Sequence, residues 1–204
     1  MRYEFISFVI TGLLLSGSAG IGQIPALATD ISPILVGEII PDINLTDHEG
    51  DSVSFYSILE GRKTIIVFYR GNWCPRCIRY LASEFAPNLS TIVQLGYQFL
   101  AICPDTPAYL MKTSTDSGLD LKCLLSDLNG NLIRSMGLGY KADTYSKYID
   151  QTSEGTNADH IISATAVYII GPDYKVIFNF ITPGAVNSEE RMQWDLLYPV
   201  LKAL

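Results

Sequence analysis

One stretch of the sequence limits the possible folds more than any other. It is an uncharged run of β-branched and aromatic residues, Ile65–Tyr69, followed by a short turn and by two cysteines in CxxC spacing, Cys74 and Cys77. Short apolar runs of this composition are typical of strands that are buried on both faces of a sheet. Pro75 suits the first turn of a helix, because its missing N–H needs no partner there. The stretch therefore predicts a buried strand, a turn, and a helix that begins at the CxxC motif.

The predicted helix start has a chemical consequence for Cys74. Unpaired N–H groups and the positive end of the helix dipole stabilise an anion at this place, so a thiol there loses its proton more readily than a free thiol. Arg70 and Arg76 flank the motif, and either can add positive potential. Cys77 lies one turn further along, where it can close a disulfide with Cys74 and is more shielded. We expect Cys74 to be the nucleophile and Cys77 the resolving thiol.

Two other interpretations of the CxxC motif stay open, a structural disulfide and half of a zinc site. Structural zinc sites usually combine two close pairs, whereas Cys103 and Cys123 lie far from each other and from the CxxC pair. These two cysteines are expected to be small buried apolar residues, to form a disulfide between adjacent strands, or to supply a distant resolving thiol. A CxxC motif beside a strand–helix–strand pattern is the thioredoxin-like arrangement, which favours redox chemistry.

The composition allows one sizeable core and argues against nucleic acid as a partner. The 204 residues are 48% hydrophobic, which suffices for a single domain. Nucleic-acid binding depends on clustered Lys and Arg, whereas only 14 are present and the net charge is −7.

The first 28 residues have the pattern of a signal peptide. Arg2 precedes an apolar stretch from Phe5 to Leu15, and Ala26-Leu27-Ala28 has the small-x-small pattern of a signal-peptidase site. We expect cleavage after Ala28, which leaves residues 29–204 as the domain, exported to the periplasm or secreted. The alternative is an uncleaved leader that anchors the protein, and this would be the chain's only contact with a membrane. Disulfides persist in either exported location.

Beyond the motif, strand and helix patterns alternate along the chain. The helix from Cys74 is predicted to reach about Leu95, with a kink or break at Pro87. The remaining predicted strands are 97–102, 119–125, 166–170 and 176–180, and the remaining helices are 107–115, 131–136 and a C-terminal helix that starts at Asn187. Residues 141–159 are polar and predict a long loop. This order predicts an α/β fold, with a parallel sheet under covering helices and a C-terminal antiparallel hairpin.

On these motifs the chain resembles the thioredoxin-like superfamily, and within it the peroxiredoxin-like branch of the alkyl hydroperoxide reductase C / thiol-specific antioxidant family. The resemblance covers residues 36–204. Its motifs are Val67–Cys77, Leu100–Asp105, Leu124–Asp127 and Val167–Asp173. It implies a thioredoxin-like fold with a central mixed β-sheet flanked by helices, and a redox-active disulfide between Cys74 and Cys77.

The chain departs from the family pattern at positions close to the motif. Peroxiredoxins have Pro seven residues before the reactive cysteine and Thr or Ser three residues before it, where this chain has Val67 and Gly71. The active-site Arg of peroxiredoxins, or the cis-Pro of thioredoxins, corresponds here to Thr165. Thioredoxins also carry a buried acid on the central strand, which is absent here. We expect Trp73 and Thr165 to form the rim of the site.

The resemblance implies an exported thiol–disulfide oxidoreductase or thiol-dependent antioxidant. Cys74 would attack a disulfide or a peroxide, Cys77 would resolve the product, and a thiol electron donor would restore the pair, with no cofactor and no metal. The alternative is a copper-delivery protein, because Sco-type proteins resemble this fold and bind copper with two Cys and a His, for which His160 is the candidate.

Overall fold

The computed structural model describes residues 24–183 and 190–204. Its strands are β1 Asn44–Thr46, β2 Ser52–Ser54, β3 Thr64–Phe68, β4 Gln98–Cys103, β5 Leu124–Ser126, β6 Gly139–Lys141, β7 Ile161–Ser163, β8 Thr165–Ile170 and β9 Val176–Thr182. Its α-helices are α1 Phe55–Leu59, α2 Pro75–Tyr80, α3 Leu89–Gln94, α4 Pro107–Ser117, α5 Asn131–Ser135, α6 Ser146–Ser153 and α7 Trp194–Ala203.

Seven of the strands form one mixed sheet in the order β2-β1-β5-β4-β3-β8-β9, while β6 and β7 pair separately. Strand β3 is parallel to β4 and antiparallel to β8, and β4 is parallel to β5. The predicted α/β class, the central mixed sheet with flanking helices and the C-terminal hairpin of β8 and β9 are therefore confirmed.

Strand β3 lies in the interior of this sheet, and all five of its residues are buried. Alternate side chains point to opposite faces, as strand geometry requires. Ile65 and Val67 join the apolar cluster that contains Cys74 and Cys77, whereas Ile66 and Phe68 join the cluster on the other face. Packing on both faces fixes the carboxyl end of β3, where the turn to the cysteines begins.

The helix predicted from Cys74 to about Leu95 is divided into shorter pieces. Helix α2 continues as a π-helical turn over Leu81–Phe85, a 3₁₀ turn over Ala86–Asn88, and then α3. The break falls at Pro87, as predicted, because proline lacks the N–H that an uninterrupted helix needs.

Two other segments differ from the predictions. Residues 141–159 were expected to be a loop, but they contain the end of β6, a 3₁₀ turn over Asp143–Tyr145 and helix α6. Only one apolar side chain of α6, Ile149, is fully buried, and its other buried residues are Thr152 and Ser153, so apolar residues alone do not mark the buried face of this helix. The strand predicted at 119–125 is shorter and begins further along the chain, as β5. Asp120 accepts the Lys122 N–H at 2.9 Å and starts a 3₁₀ turn, which replaces the first part of the predicted strand.

The predicted leader lies mostly outside the described residues. Within its last residues, the Pro25 carbonyl oxygen accepts the Lys141 N–H at 2.8 Å, and Ala28 packs against a small cluster around Tyr140. Among the helices that the structure describes, none combines the length and the apolar character needed to cross a membrane.

The C-terminal helix α7 packs on the same sheet face as the cysteine pair. Its start was predicted at Asn187, which lies outside the described residues, and the described helix begins at Trp194. Leu197 and Leu201 are buried in the cluster that contains Cys74 and Cys77, whereas Leu204 remains 43% exposed. The end of the chain therefore covers the core beneath the site.

We expect Leu201→Ala to lower the free energy of unfolding by about 2–5 kcal/mol, because it leaves a cavity in a packed core. The control Leu204→Ala removes an exposed side chain and should change stability by less than about 0.5 kcal/mol. Urea unfolding followed by circular dichroism measures both values. Equal losses in the two variants would show that α7 does not pack as described.

Candidate active site

Cys74 lies at the junction between the central strand and helix α2. It is the N-cap residue of α2, its own N–H donates to the Gly71 carbonyl at 3.2 Å, and its carbonyl accepts the Cys77 N–H at 2.9 Å. Cys74 is 6% exposed and Cys77 is 1% exposed. The thiol nearer to solvent is thus the one expected to be the nucleophile.

The pKa of Cys74 is lowered from 9.0 to about 6, and the main cause is a hydrogen bond from the side chain of Cys77. The Cys77 backbone N–H, Arg70 and Arg191 lower the Cys74 pKa further, while burial opposes them. Hydrogen bonds to the charged form favour that form, and here they outweigh desolvation. At neutral pH Cys74 is therefore mainly a thiolate.

Cys77 is shifted in the opposite direction. Its hydrogen bond to Cys74 and its complete burial raise the pKa of the Cys77 thiol well above 9.0. Cys77 therefore keeps its proton and donates it to the neighbouring sulfur. Two thiols one helical turn apart have different protonation states, which separates a nucleophile from a resolving thiol.

Two guanidinium groups help to lower the pKa of Cys74 through their positive charge. Arg70, from the turn after β3, was identified in the sequence, but Arg191 was not. Arg191 is only 2% exposed, its Nη1 donates to the Arg76 carbonyl oxygen at 2.7 Å, and its guanidinium carbon lies 5.2 Å from the centre of the Tyr80 ring. No local pattern marks Arg191, because it reaches the site only when the end of the chain folds back onto α2.

Arg76 is the second arginine that flanks the motif, and it lies in helix α2. Arg76 is exposed, and its backbone carbonyl oxygen accepts the hydrogen bond from Arg191. Its proposed role in stabilising the thiolate remains a prediction.

An aromatic cluster lies beside the cysteine pair. The Trp73 ring centroid is 5.0 Å from that of Tyr145 and 6.1 Å from that of Tyr148, and both tyrosines are exposed, by 40% and 52%. Tyr145 and Tyr148 come from the segment that was predicted to be a loop. The sequence assigns them no role, because surface tyrosines have no distinguishing pattern. Together these three side chains form what we call the aromatic rim.

Thr165 is the first residue of β8, and its position follows from the sheet register. Phe68, the last residue of β3, pairs with Ala166, so Thr165 lies at the carboxyl end of β3, where the turn to the cysteines begins. Its side chain is 2% exposed, and its hydroxyl has no hydrogen-bond partner within the described part of the chain. The position that the resemblance assigns to the site rim is therefore occupied by a buried hydroxyl.

All four cysteines are free thiols in this structure. Cys103 is fully buried, and burial raises its pKa well above 9.0. Cys123 is partly buried, and burial raises its pKa to about 11. The structure therefore shows neither as a disulfide partner, and the Cys74–Cys77 disulfide remains a prediction about the oxidised protein.

The geometry does not support the copper-site alternative. Both ring nitrogens of His160 lie 3.1 Å from carboxylate oxygens, one of Asp143 and one of Asp150. Among the described residues, the one group of possible metal ligands is Asp47, Glu49 and Asp51, which is far along the chain from the cysteine pair. His160 therefore does not complete a ligand set with Cys74 and Cys77.

The sheet order, the flanking helices and the CxxC motif after the central strand define a thioredoxin-like fold. Solved structures with this architecture include the peroxidoxin BcpB from Mycobacterium tuberculosis, with a TM-score of 0.61 and 18% identity, covering 82% of this chain and 94% of that one. Reduced Prx3 from Vibrio vulnificus, in complex with hydrogen peroxide, has a TM-score of 0.64 and 13% identity, covering 82% of this chain and 99% of that one.

The chain belongs to the AhpC/TSA family, whose model matches residues 36–178. Among curated proteins, peroxiredoxin bcp1 of Schizosaccharomyces pombe is 32% identical over 106 residues. That match covers 52% of this chain and 53% of bcp1, so the chain spans about half the length of this relative.

We expect Cys77→Ala to raise the pKa of Cys74 well above about 6, because the substitution removes the thiol that contributes most to the low value. The rate of Cys74 alkylation by iodoacetamide, followed by peptide mass spectrometry across a pH series, measures that pKa. Cys123→Ala is the matched control and should leave the Cys74 pKa unchanged. An unchanged Cys74 pKa in Cys77→Ala would contradict the assignment of the hydrogen bond.

Proposed function

We propose that this protein is an exported thiol-dependent peroxidase that uses Cys74 as the peroxidatic thiol and Cys77 as the resolving thiol. The observation that carries the proposal is the opposite shift of the two thiol pKa values, to about 6 for Cys74 and upward for Cys77. Membership of the AhpC/TSA family and the names of the relatives support peroxide as the substrate.

The reaction follows from the two protonation states. The Cys74 thiolate attacks the terminal oxygen of a hydroperoxide, the O–O bond breaks, and a sulfenic acid forms while the leaving alkoxide or hydroxide takes up a proton. Cys77 then loses its proton and attacks the Cys74 sulfur, which forms the disulfide and releases water. A dithiol donor reduces this disulfide by exchange, and no cofactor takes part.

The residues around the sulfur have proposed supporting roles. Arg70 lowers the Cys74 pKa and brings positive charge to the place where the leaving oxygen becomes negative. We propose that Trp73 and Thr165 border the sulfur and that Tyr145 and Tyr148, whose rings lie against Trp73, extend the rim toward solvent. A disulfide substrate would be attacked by the same thiolate, so disulfide reduction is the second reaction to assay.

Cys74→Ser should lower the rate of peroxide consumption by three orders of magnitude or more, on the order seen when the nucleophile of an enzyme is removed. The assay supplies hydrogen peroxide or cumene hydroperoxide to the purified protein, with dithiothreitol as the electron donor. Cys123→Ser is the matched control and should retain full activity. Equal peroxide consumption by the wild type and Cys74→Ser would disprove the peroxidase proposal.

Cys77→Ser should separate the two steps of the reaction. After one equivalent of peroxide, the wild-type protein is expected to contain a Cys74–Cys77 disulfide, whereas Cys77→Ser should retain a Cys74 sulfenic acid that dimedone traps. Mass spectrometry of the peptides distinguishes these products. A disulfide from Cys74 to Cys103 or Cys123 in the wild type would assign the resolving role to another cysteine.

Export is proposed from the signal-peptide pattern in residues 1–28. Cleavage after Ala28 would remove the hydrogen bond between Pro25 and Lys141. We expect the N-terminus of the protein recovered from the periplasm or medium to be Thr29, as determined by mass spectrometry. An intact leader in a membrane fraction would instead support the anchored alternative.

A further inference from the structure

A buried carboxylate lies behind the turn that carries the cysteine pair. Asp105 follows β4 and is only 1% exposed. Its Oδ2 accepts the Asn72 N–H at 2.5 Å. A Cβ atom on Gly71 would be 2.6 Å from Oδ1 of Asp105 and 2.9 Å from Oδ2, and Gly71 has a φ of +136°. The Asp105 carboxylate thus lies directly against the backbone of residues 71 and 72.

Hydrogen bonds stabilise the Asp105 carboxylate only in part, and no positive charge is paired with it among the described residues. Among the described residues Asp105 forms no ion pair, and its Oδ1 has no hydrogen bond of normal geometry. The titratable groups that face it are Tyr69, directly after β3, and Cys103 from β4, and the Thr152 hydroxyl from α6 also lies beside it. None of these carries positive charge. Burying a carboxylate in such a place is unfavourable, so stability does not explain its presence.

The contact with Asn72 has a direct route to the reactive sulfur. Asn72 follows Gly71, and the Gly71 carbonyl oxygen accepts the Cys74 N–H at 3.2 Å. A shift of this turn therefore moves Cys74 relative to the Cys77 N–H and thiol that hold its pKa low. Hydrogen bonds from a backbone N–H to a carboxylate are shorter and stronger than those between neutral groups.

We propose that Asp105, in its charged form, is a positioning residue for Cys74, and that it acts through the Asn72 N–H on the turn at residues 71–73. The inference rests on the proposed function, since it concerns how the same nucleophile is held. Burial raises the pKa of Asp105 to about 6, and neutral pH leaves the carboxylate mainly charged.

The test compares Asp105→Asn with the wild-type protein in two assays. We expect kcat/KM for hydrogen peroxide to fall about tenfold at neutral pH, because a small displacement of a nucleophile is costly. We also expect the pKa of Cys74, measured by iodoacetamide alkylation, to rise. If Asp105 acted on Cys74 only through the electrostatic field of its negative charge, it would raise the Cys74 pKa. Its removal would then lower the Cys74 pKa, which is the opposite of the result we expect.

Stability gives a third measurement with a definite sign. Because the folded-state pKa of Asp105 is raised from 3.8 to about 6, folding stability falls as the pH rises through this window and remains lower above it. Asp105→Asn removes this penalty, so at neutral pH its melting temperature should equal or exceed that of the wild type.

Asp116→Asn is the matched control, because the exposed Asp116 carboxylate binds the side chain of the same Asn72 at 3.1 Å. It should leave both the activity and the Cys74 pKa unchanged. Gly71→Ala disturbs the same contact from the turn, because the added methyl group would clash with the Asp105 carboxylate. It should therefore raise the Cys74 pKa as Asp105→Asn does.

Unchanged kinetics in Asp105→Asn, a more acidic Cys74, or a lower melting temperature would each overturn the proposal. If the wild type consumes no peroxide, the proposed function fails, whereas the alkylation measurement still tests the role of Asp105.

Discussion

The reactivity of the site depends on the hydrogen bond that the Cys77 thiol donates to the Cys74 sulfur. Both thiols are buried, and burial alone would raise both pKa values and leave two unreactive thiols. The bond from Cys77 outweighs desolvation at Cys74, while the same bond raises the pKa of Cys77. One interaction therefore produces the thiolate and also keeps its partner protonated. The CxxC spacing matters because it places the two side chains one helical turn apart.

The sheet makes that bond possible by fixing where helix α2 begins. Strand β3 is packed on both faces, so the turn that leaves it has a defined starting point. The antiparallel strand β8 brings Thr165 to the carboxyl end of β3, and the parallel strand β4, on the other side of β3, ends there too and leads into Asp105. Residues from distant parts of the chain thus meet at the carboxyl ends of the parallel strands. Ligands of α/β proteins are commonly bound at this end of the sheet.

The central part of this arrangement could be predicted from the sequence because its signals are local. The apolar run, the break after Tyr69 and the CxxC spacing each lie within a few residues and indicate strand, turn and helix directly. Helix α6 could not be predicted in this way, because most of its buried side chains are polar. Arg191 and Asp105 could not be assigned to the site either. Their roles depend on contacts across 115 and 33 residues of chain, which no periodicity records.

The differences from the peroxiredoxin pattern can be explained by a redistribution of charge around the sulfur. The resemblance leads one to expect a Thr or Ser at position 71, but the Asp105 carboxylate occupies the space that a side chain there would need. Gly71 and Asp105 are therefore matched, since a larger residue at position 71 would clash with the Asp105 carboxylate. The resemblance also leads one to expect an Arg at position 165, where this chain has a buried threonine.

Positive charge still reaches the sulfur, but it comes from Arg70 on the turn itself and from Arg191 near the C-terminus. The physical requirement, a buried sulfur whose negative charge is stabilised, is the same for both arrangements. Different elements of the fold meet it here, and this is why the loss of individual motif residues does not by itself imply the loss of a reactive thiolate.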